Sequence, residues 1–414
     1  MAMEDSNGTL NSRKAHGISS KQRKSAIHLN EDVERTSVDV LESMMTRQRR
    51  IQETCEQGIG NIQQPFEDHI LVSRMSHFFY CPVEKTASTF WRRFLYQLEF
   101  TKPMKSPFDV SVKQAYDGMT KQVKLFEKGQ KLKNMLRLST KILFVRDPYS
   151  RIFSAYVDKL LAPNPVFWTT WGVPAVTRYR PGAALTPTCG ADARFFEFVS
   201  LIVDQEWGLE PHVMPIYKLC APCWANYTVV GKMETFMRDT GHVLEYLGLN
   251  VSQLGFEKMD EDVINDAVED SVNDAMSEEW LNKTLKCIGK LGVARRIWRK
   301  LQLRGFISWR LNFNLKPDYV AAMQGKDFIE ILKQTLRAST DKRELRFQKR
   351  YALLEAFSGL KQSQLESIAM IFKPDFMMFG YDPQMMARDL KDFAQTGAFD
   401  WDKSWDLSEV IPIF

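Results

Sequence analysis

Short apolar runs and amphipathic stretches alternate along the middle of the chain, and this alternation predicts an α/β fold. Three apolar runs with polar or basic ends are typical of buried strands, at 77–83, 141–147 and 227–231. Apolar positions at helical spacing predict amphipathic helices at 88–98, 150–161, 191–204 and 234–247. Because strands and helices take turns, we expect a parallel central sheet flanked by helices.

The two ends of the chain and one internal region depart from this alternation. Residues 1–65 contain no Phe, Trp or Tyr and are rich in polar residues, so we expect a disordered tail or stem. Ten acidic residues lie within 257–279 and ten basic ones within 283–316, which predicts a charged, mainly helical insertion at about 257–340. Its helices are either solvated or present a cationic face to an acidic polymer. A helix over 341–372 and a C-terminal tail at 384–414 complete the prediction.

Composition narrows the class of ligand and compartment only slightly. The 414 residues carry a net charge of +5, which suits an anionic ligand but does not imply nucleic acid. No apolar run reaches the length of a membrane span. Among six cysteines, Cys220 and Cys223 form a C-x-x-C pair, but no second pair of zinc ligands stands at suitable spacing. Disulfides or buried thiols are therefore the favoured interpretation of the cysteines.

The stretch CPVEKTASTFWRRFL, residues 81–95, places one lysine and several hydroxyls between a predicted strand and a predicted helix. Such a turn aims backbone N–H groups and the positive end of the helix dipole at one point. Lys85, with Thr86, Ser88 and Thr89, would complete an anion cradle, although the glycines of a phosphate loop are missing. The alternative is that Lys85 only caps the end of the strand.

A second strand-to-helix turn, in FVRDPYSRIFSAYVDK, supports the cradle. Arg146 leaves the strand end and Ser154 follows eight residues later on the helix. A guanidinium supplies a fork of donors for a phosphate, and a hydroxyl adds one more. Two anion sites at neighbouring strand ends imply a ligand with two separated phosphates, such as a nucleotide phosphorylated at both its 3′ and 5′ positions.

These two stretches resemble the 5′-phosphosulfate loop and the 3′-phosphate motif of the Golgi carbohydrate sulfotransferases. The resemblance is strongest to the branch that sulfates chondroitin, dermatan and the natural-killer-cell epitope. Two later segments, EPHVMPIYKLCAPCWANYTVVGKMET and IFKPDFMMFGYDP, resemble further motifs of that branch in the same order. The resemblance covers about 66–383 and implies a P-loop-like sulfotransferase fold for that domain.

The resemblance also implies an activity and a set of site residues. The reaction would move a sulfuryl group from 3′-phosphoadenosine 5′-phosphosulfate to a glycan hydroxyl, with no metal. The 5′-phosphosulfate would be held by Lys85, Thr86, Ala87, Ser88, Thr89 and Phe90, and the 3′-phosphate by Arg146 and Ser154. Lys85 would also stabilise the leaving oxygen. Relatives often carry Asn at the position of Phe90.

Partners and compartment follow from the same resemblance. The acceptor would be an anionic glycan, a glycosaminoglycan or a glycoprotein glycan, and no nucleic acid is expected. Family members are usually anchored by one N-terminal span facing the Golgi lumen, and no such anchor is visible in this sequence. The cysteine pair and four N-glycosylation sequons favour a lumenal, Golgi location.

The catalytic base is the least determined element of the predicted site. An attacking hydroxyl must lose a proton, and histidine is the usual acceptor near neutral pH. His212, inside the third family-like segment, is the first candidate, and Glu84, beside the cradle, is the second. A nucleotide-dependent kinase would need a glycine-rich loop and a magnesium carboxylate. A catalytically inactive glycan-binding relative would be expected to lack Lys85, Arg146 or Ser154.

Overall fold

A computed structural model describes most of the chain. The described residues are 39–62, 69–73, 77–100, 106–123, 137–182, 189–205, 210–249, 258–393 and 399. None of the helices found there is both long and apolar enough to cross a membrane.

The described residues contain one four-stranded sheet, and its strands lie in chain order. They are Leu71–Ser73 (β1), Phe78–Cys81 (β2), Thr140–Val145 (β3) and Val229–Lys232 (β4). β1 runs antiparallel to β2, whereas β2, β3 and β4 are parallel to one another. The three parallel strands are the three predicted from the apolar runs, so the predicted α/β class is confirmed.

Helices cover both faces of this sheet and build the rest of the described chain. We label 39–56 as α1 and number the α-helices of five or more residues onward in chain order. They are Ser88–Phe100 (α2), Val112–Val123 (α3), Pro148–Tyr156 (α4), Val173–Tyr179 (α5), Phe195–Val203 (α6), Ile216–Cys220 (α7), Phe236–Tyr246 (α8), Met259–Met276 (α9), Glu278–Thr284 (α10), Lys290–Leu303 (α11), Pro317–Ala322 (α12), Gly325–Ala338 (α13), Lys342–Ser358 (α14), Gln362–Ile371 (α15), Lys373–Phe379 (α16) and Met385–Lys391 (α17).

The strands divide the core into two apolar clusters because successive side chains point to opposite faces. Phe78, Tyr80 and Phe144 face the cluster that contains Trp91 of α2. Phe79 and Leu143 face the larger cluster, which gathers most of the remaining helices. The sheet is therefore covered on both faces, as parallel strands require.

Several boundaries differ from the prediction. The stretch 162–190, for which no element was predicted between the helices at 150–161 and 191–204, contains α5 and two shorter helical turns, Pro165–Phe167 and Trp168–Gly172. The predicted helix over 341–372 is broken into α14 and α15 near Gly359. At the C-terminal end, α17 lies beyond residue 383, and its Met386 is fully buried, so packed structure continues into the predicted tail.

The predicted disordered tail also differs from the structure, since 39–56 form a helix. Val40, Met44 and Ile51 are buried on one face of α1, and the helix is fastened by a disulfide between Cys55 and Cys223. A second disulfide joins Cys81 to Cys220. Of the two interpretations of the C-x-x-C pair, the structure selects disulfides, and each member of the pair has a different distant partner.

Candidate active site

The loop between β2 and α2 has an unusual backbone. Lys85 and Ala87 adopt φ angles of +71° and +61°, in the left-handed region where a phosphate loop uses glycine. For an L-residue this conformation costs on the order of 1–2 kcal/mol. The loop leads directly into α2 at Ser88, whose first N–H groups have no acceptor within the helix. Strained backbone, a lysine and a helix N-terminus thus converge at one point.

The other predicted cradle residues occupy distinct environments. The hydroxyl of Thr86 is fully buried and donates to the carbonyl of Val83 at 2.8 Å, so it braces the turn. Phe90 is buried in the aromatic core, edge-on to Trp91 and Phe236. Thr89 is half-buried and Ser88 is more deeply buried. The side chains of Thr86 and Phe90 therefore contact other parts of the protein, so these two residues could bind an anion only through their backbone N–H groups.

The second predicted anion site lies at the end of β3, beside the first. Arg146 follows β3 directly, and its guanidinium donates to the carbonyl of Lys85 at 3.2 Å. Asp147 caps α4 by accepting from the Ser150 N–H at 2.8 Å, which fixes the turn. Ser154 is half-buried on α4. The parallel pairing of β2 and β3 therefore brings Lys85 and Arg146 to one edge of the sheet, and the helix that carries Ser154 begins there.

Further cations surround Lys85. Burial, followed by the charges of Lys159, Arg304, Lys300 and Arg146, holds the pKa of Lys85 well below its usual value. Burial and the charge of Arg304 lower the pKa of Lys300 to about 7. Burial also lowers the pKa of Arg304, to about 10. Such a concentration of partly buried positive charge favours an anionic ligand, because an anion would restore the charged form of each group.

The basic segment at 283–316 supplies part of this cluster. Lys300 of α11 lies 3.2 Å from Asp158, which also pairs with Lys85. Arg304 follows α11, where Gly305 has a φ of +71° and packs against the backbone of Leu345 in α14. By contrast, Arg296 is buried over the Trp168 ring and donates to the carbonyl of Leu161 at 3.3 Å. The segment is thus neither a purely solvated face nor a continuous cationic surface.

His212 forms a dyad with Glu210. Its Nδ1 lies 2.5 Å from Oε1 of Glu210, so that Nδ1–H donates to the carboxylate and Nε2 is left as the basic nitrogen. Burial lowers the pKa of His212 to about 4, although the hydrogen bond to Glu210 opposes that shift. The rings of Phe167 and Trp171 pack edge-on to the imidazole. The dyad has the form of a general base and the group that orients it.

Glu84, the second candidate base, has different partners. Its Oε2 lies 3.4 Å from Nε2 of His69, and its Oε1 lies 3.8 Å from Arg92. Burial opposes its ionisation, but the nearby His69, followed by the charges of His212 and Arg92, lowers the pKa of Glu84 to about 2. His212 has a carboxylate at hydrogen-bond distance that orients its ring, whereas the carboxylate of Glu84 lies against His69 and Arg92. On this geometric ground His212 stays the first candidate for the base.

Arg151 connects the segment of His212 to the cradle. Its buried guanidinium donates to the carbonyl of Glu84 at 3.1 Å, to that of Met214 at 2.7 Å and to that of Pro211 at 2.6 Å. The first carbonyl belongs to the cradle loop and the other two flank His212. Arg151 therefore fixes the distance between the predicted donor site and the predicted base.

Three contributors to the site were not singled out by the sequence interpretation: Glu210, Arg151 and Arg304. Glu210 and Arg151 stand inside motifs that the resemblance already includes, E-P-H and R-D-P-x-x-R, and that position was their available signal. Arg304 gave no local signal, because only the fold brings the end of α11 to the cradle. Lys300 belongs to the basic run that was expected either to be solvated or to face an acidic polymer, and the structure places it beside Asp158, the partner of Lys85.

Comparisons with known proteins bear on the family of the chain. The model of the sulfotransferase family matches residues 68–300, more than half of the chain. The chain belongs to the sulfotransferase family. It is 35% identical to mouse carbohydrate sulfotransferase 14 over 181 residues, which are 43% of the chain and 46% of that protein. It is 31% identical to mouse carbohydrate sulfotransferase 11 over 192 residues, 44% of the chain and 53% of that protein.

A third relative, human carbohydrate sulfotransferase 9, is 30% identical over 217 residues, which are 50% of the chain and 48% of that protein. The chain thus matches about half the length of these relatives. No solved structure matches it. Membership of the sulfotransferase family, predicted from the four ordered motifs, is confirmed, and it implies an enzyme that uses a sulfate donor.

Proposed function

We propose that the protein transfers a sulfuryl group from 3′-phosphoadenosine 5′-phosphosulfate to a hydroxyl of a glycan. The observation that carries this proposal is the convergence of Lys85 and Arg146 on one edge of a parallel sheet, linked by a hydrogen bond of 3.2 Å. The resemblance of the two turns and the names of the similar proteins support it independently.

The described residues fit the charge distribution of that donor. The nucleotide carries a phosphosulfate at one end and a 3′-phosphate at the other. Lys85, the N–H groups at the start of α2 and the cations Lys300 and Arg304 can hold the first. Arg146 and Ser154 can hold the second. Burial lowers the pKa of Lys85 and so disfavours its charged form. A bound anion would favour the protonated form, in which Lys85 is a cation and a hydrogen-bond donor.

In the proposed reaction, the glycan hydroxyl oxygen forms a bond to sulfur while the bond from sulfur to the bridging phosphate oxygen breaks. His212 accepts the hydroxyl proton at Nε2, and Glu210 stabilises the resulting imidazolium. The protonated Lys85 stabilises the negative charge that grows on the bridging oxygen. The products are a sulfated glycan and adenosine 3′,5′-bisphosphate.

The proposed acceptor is an anionic glycan of the glycosaminoglycan or glycoprotein type. Lys159 supports this, because burial lowers its pKa and its ammonium lies 4.8 Å from the centre of the Phe167 ring, which also packs against His212. A cation and an aromatic ring beside the base suit an acidic sugar. We also propose a Golgi location, since the two disulfides require an oxidising compartment.

The decisive experiment incubates the protein with ³⁵S-labelled donor and a panel of glycosaminoglycans and desulfated glycans. We expect label to enter at least one acidic glycan, and we expect the transfer to survive EDTA because the site supplies its own cations. Label absent from every glycan, or transfer that EDTA stops and magnesium restores, would contradict the proposal. A parallel incubation with γ-labelled ATP tests the kinase alternative.

A further inference from the structure

One carboxylate lies among the cations of the cradle. Asp158 belongs to a π-helical turn, Val157–Leu161, that continues α4 beyond Ser154. Its Oδ2 forms an ion pair with Nζ of Lys85, and its Oδ1 lies 3.2 Å from Nζ of Lys300. About a fifth of the Asp158 side chain is exposed, and the two lysine side chains are 15% and 13% exposed. The three groups form a shielded bridge across the predicted donor site.

In the ligand-free protein, Asp158 reduces the electrostatic repulsion between the lysines that it joins. Lys85 and Lys300 repel each other, and Arg304 adds to the repulsion at both. A carboxylate between the two ammonium groups offsets that repulsion without any ligand. Short π-helical turns occur frequently at functional sites, and this one projects Asp158 from the end of the helix that carries Ser154.

A phosphosulfate at Lys85 would meet Asp158 as a like charge. Two anions that share one partly buried cation repel each other strongly, because solvent screens them poorly. The carboxylate must therefore move away from Lys85 when an anionic ligand arrives, and Lys300 is a second cation within its reach.

We propose that Asp158 is a resident counter-ion of the cradle, which an anionic ligand displaces from Lys85 and which lowers the affinity of the site for nucleotide. This inference rests on the proposed function for the identity of the nucleotide. The carboxylate stabilises the empty protein and competes with both the donor and the bisphosphate product. It thereby favours release of the product.

The test compares Asp158→Asn with the wild type by calorimetry, using adenosine 3′,5′-bisphosphate and inorganic pyrophosphate as probes. Removing a charge-assisted competitor of about 1.5–3 kcal/mol should lower both dissociation constants roughly tenfold to a hundredfold. The ligand-free variant should melt at a lower temperature than the wild type, and ligand should raise its melting temperature by more. Asp158→Ser, which is smaller, should shift affinity in the same direction.

Glu279→Gln is the matched control, since it removes one negative charge from an exposed pair with Lys283. It should leave both dissociation constants unchanged. Weaker or unchanged binding in both Asp158 variants would overturn the inference and assign Asp158 to orienting Lys85. Because pyrophosphate binding does not depend on turnover, tighter pyrophosphate binding without sulfate transfer would count against the proposed function alone. Sulfate transfer without tighter binding would count against the counter-ion alone.

Discussion

Glu210 accepts a hydrogen bond from Nδ1 of His212 at 2.5 Å, while burial holds the pKa of the imidazole at about 4. The two effects oppose each other, because a carboxylate favours the imidazolium and burial disfavours it. Burial is the larger effect. His212 is consequently neutral, and ready to accept a proton, over a wider range of pH than an exposed histidine.

The pH profile of the reaction should show the lowered pKa of His212. If His212 is the base, kcat/KM should remain level from neutrality down to about pH 5 and decline only toward about pH 4. Glu210→Gln should lower kcat more than it raises KM, because the ring loses its orienting partner. His212→Ala should lower kcat by about 10²–10⁴-fold. An acid limb near pH 6.5 in the wild type, or a fully active His212→Ala variant, would rule out this assignment.

The same shift has a consequence for stability. Between about pH 4 and the unfolded value of about 6.5, the unfolded chain binds the proton of His212 more readily than the folded protein does. This contribution to the free energy of unfolding is fully present above about pH 6.5 and is lost as the pH falls toward 4. Denaturation of wild type and His212→Ala across this window should reveal the difference, with the variant showing the flatter dependence.

Lys85→Ala should abolish useful transfer. The leaving oxygen loses its cation, and loss of one such electrostatic group costs about 10²–10³-fold in rate. The measurement is the rate of ³⁵S transfer. Lys283→Ala is the control: Lys283 lies in an exposed ion pair on α10, so this variant should retain full activity. Near-normal turnover of Lys85→Ala would show that the cradle is assigned wrongly.

Arg146→Ala should separate the two phosphate sites. Removing a charge-assisted fork of about 1.5–3 kcal/mol should weaken adenosine 3′,5′-bisphosphate roughly tenfold to a hundredfold. Adenosine 5′-phosphosulfate has no 3′-phosphate, so its dissociation constant should hardly change. Calorimetry with both nucleotides is the test. If Arg146→Ala weakened the binding of the two nucleotides equally, Arg146 would not be the 3′-phosphate site.

Arg151→Met should damage both stability and turnover. It leaves three carbonyls without their donor, those of Glu84, Pro211 and Met214. Each unsatisfied buried group costs about 1–3 kcal/mol, so denaturant unfolding should show a loss of several kcal/mol. Arg310→Met, whose side chain is 78% exposed, is the control and should change little. If Arg151→Lys restores stability but not kcat, the guanidinium of Arg151 also positions His212. If Arg151→Lys restores both, the role of Arg151 is structural.

Local patterns in the sequence were enough to predict the cradle. The strands before Lys85 and Arg146 are apolar runs, and polar groups follow each strand within a few residues, so the pattern predicts an anion site at each of the two strand ends. Parallel pairing then requires the two strand ends to meet. The predicted roles of Lys85, Ser154 and His212 remain predictions that the experiments above test.

Long-range contacts set the limit of that prediction. Helix α1 lacks aromatic residues, and its packing depends on Cys223, which lies 168 residues after Cys55. Lys300 and Arg304 look like members of a solvated basic run, yet one meets Asp158 from 142 positions earlier, at 3.2 Å. Charge composition shows that cations are present, but it does not distinguish Arg296, which is buried over Trp168, from Lys300, which lies beside the predicted cradle.

The disulfide between Cys81 and Cys220 links two parts of the candidate site. Cys81 stands four residues before Lys85, and Cys220 stands eight after His212. One covalent bond thus joins the strand that precedes Lys85 to the helix that follows His212. Protein made where thiols stay reduced would contain every predicted site residue and still lack this covalent link between the two parts of the candidate site. We therefore expect the specific activity of a preparation to depend on the fraction of molecules in which the Cys81–Cys220 disulfide has formed.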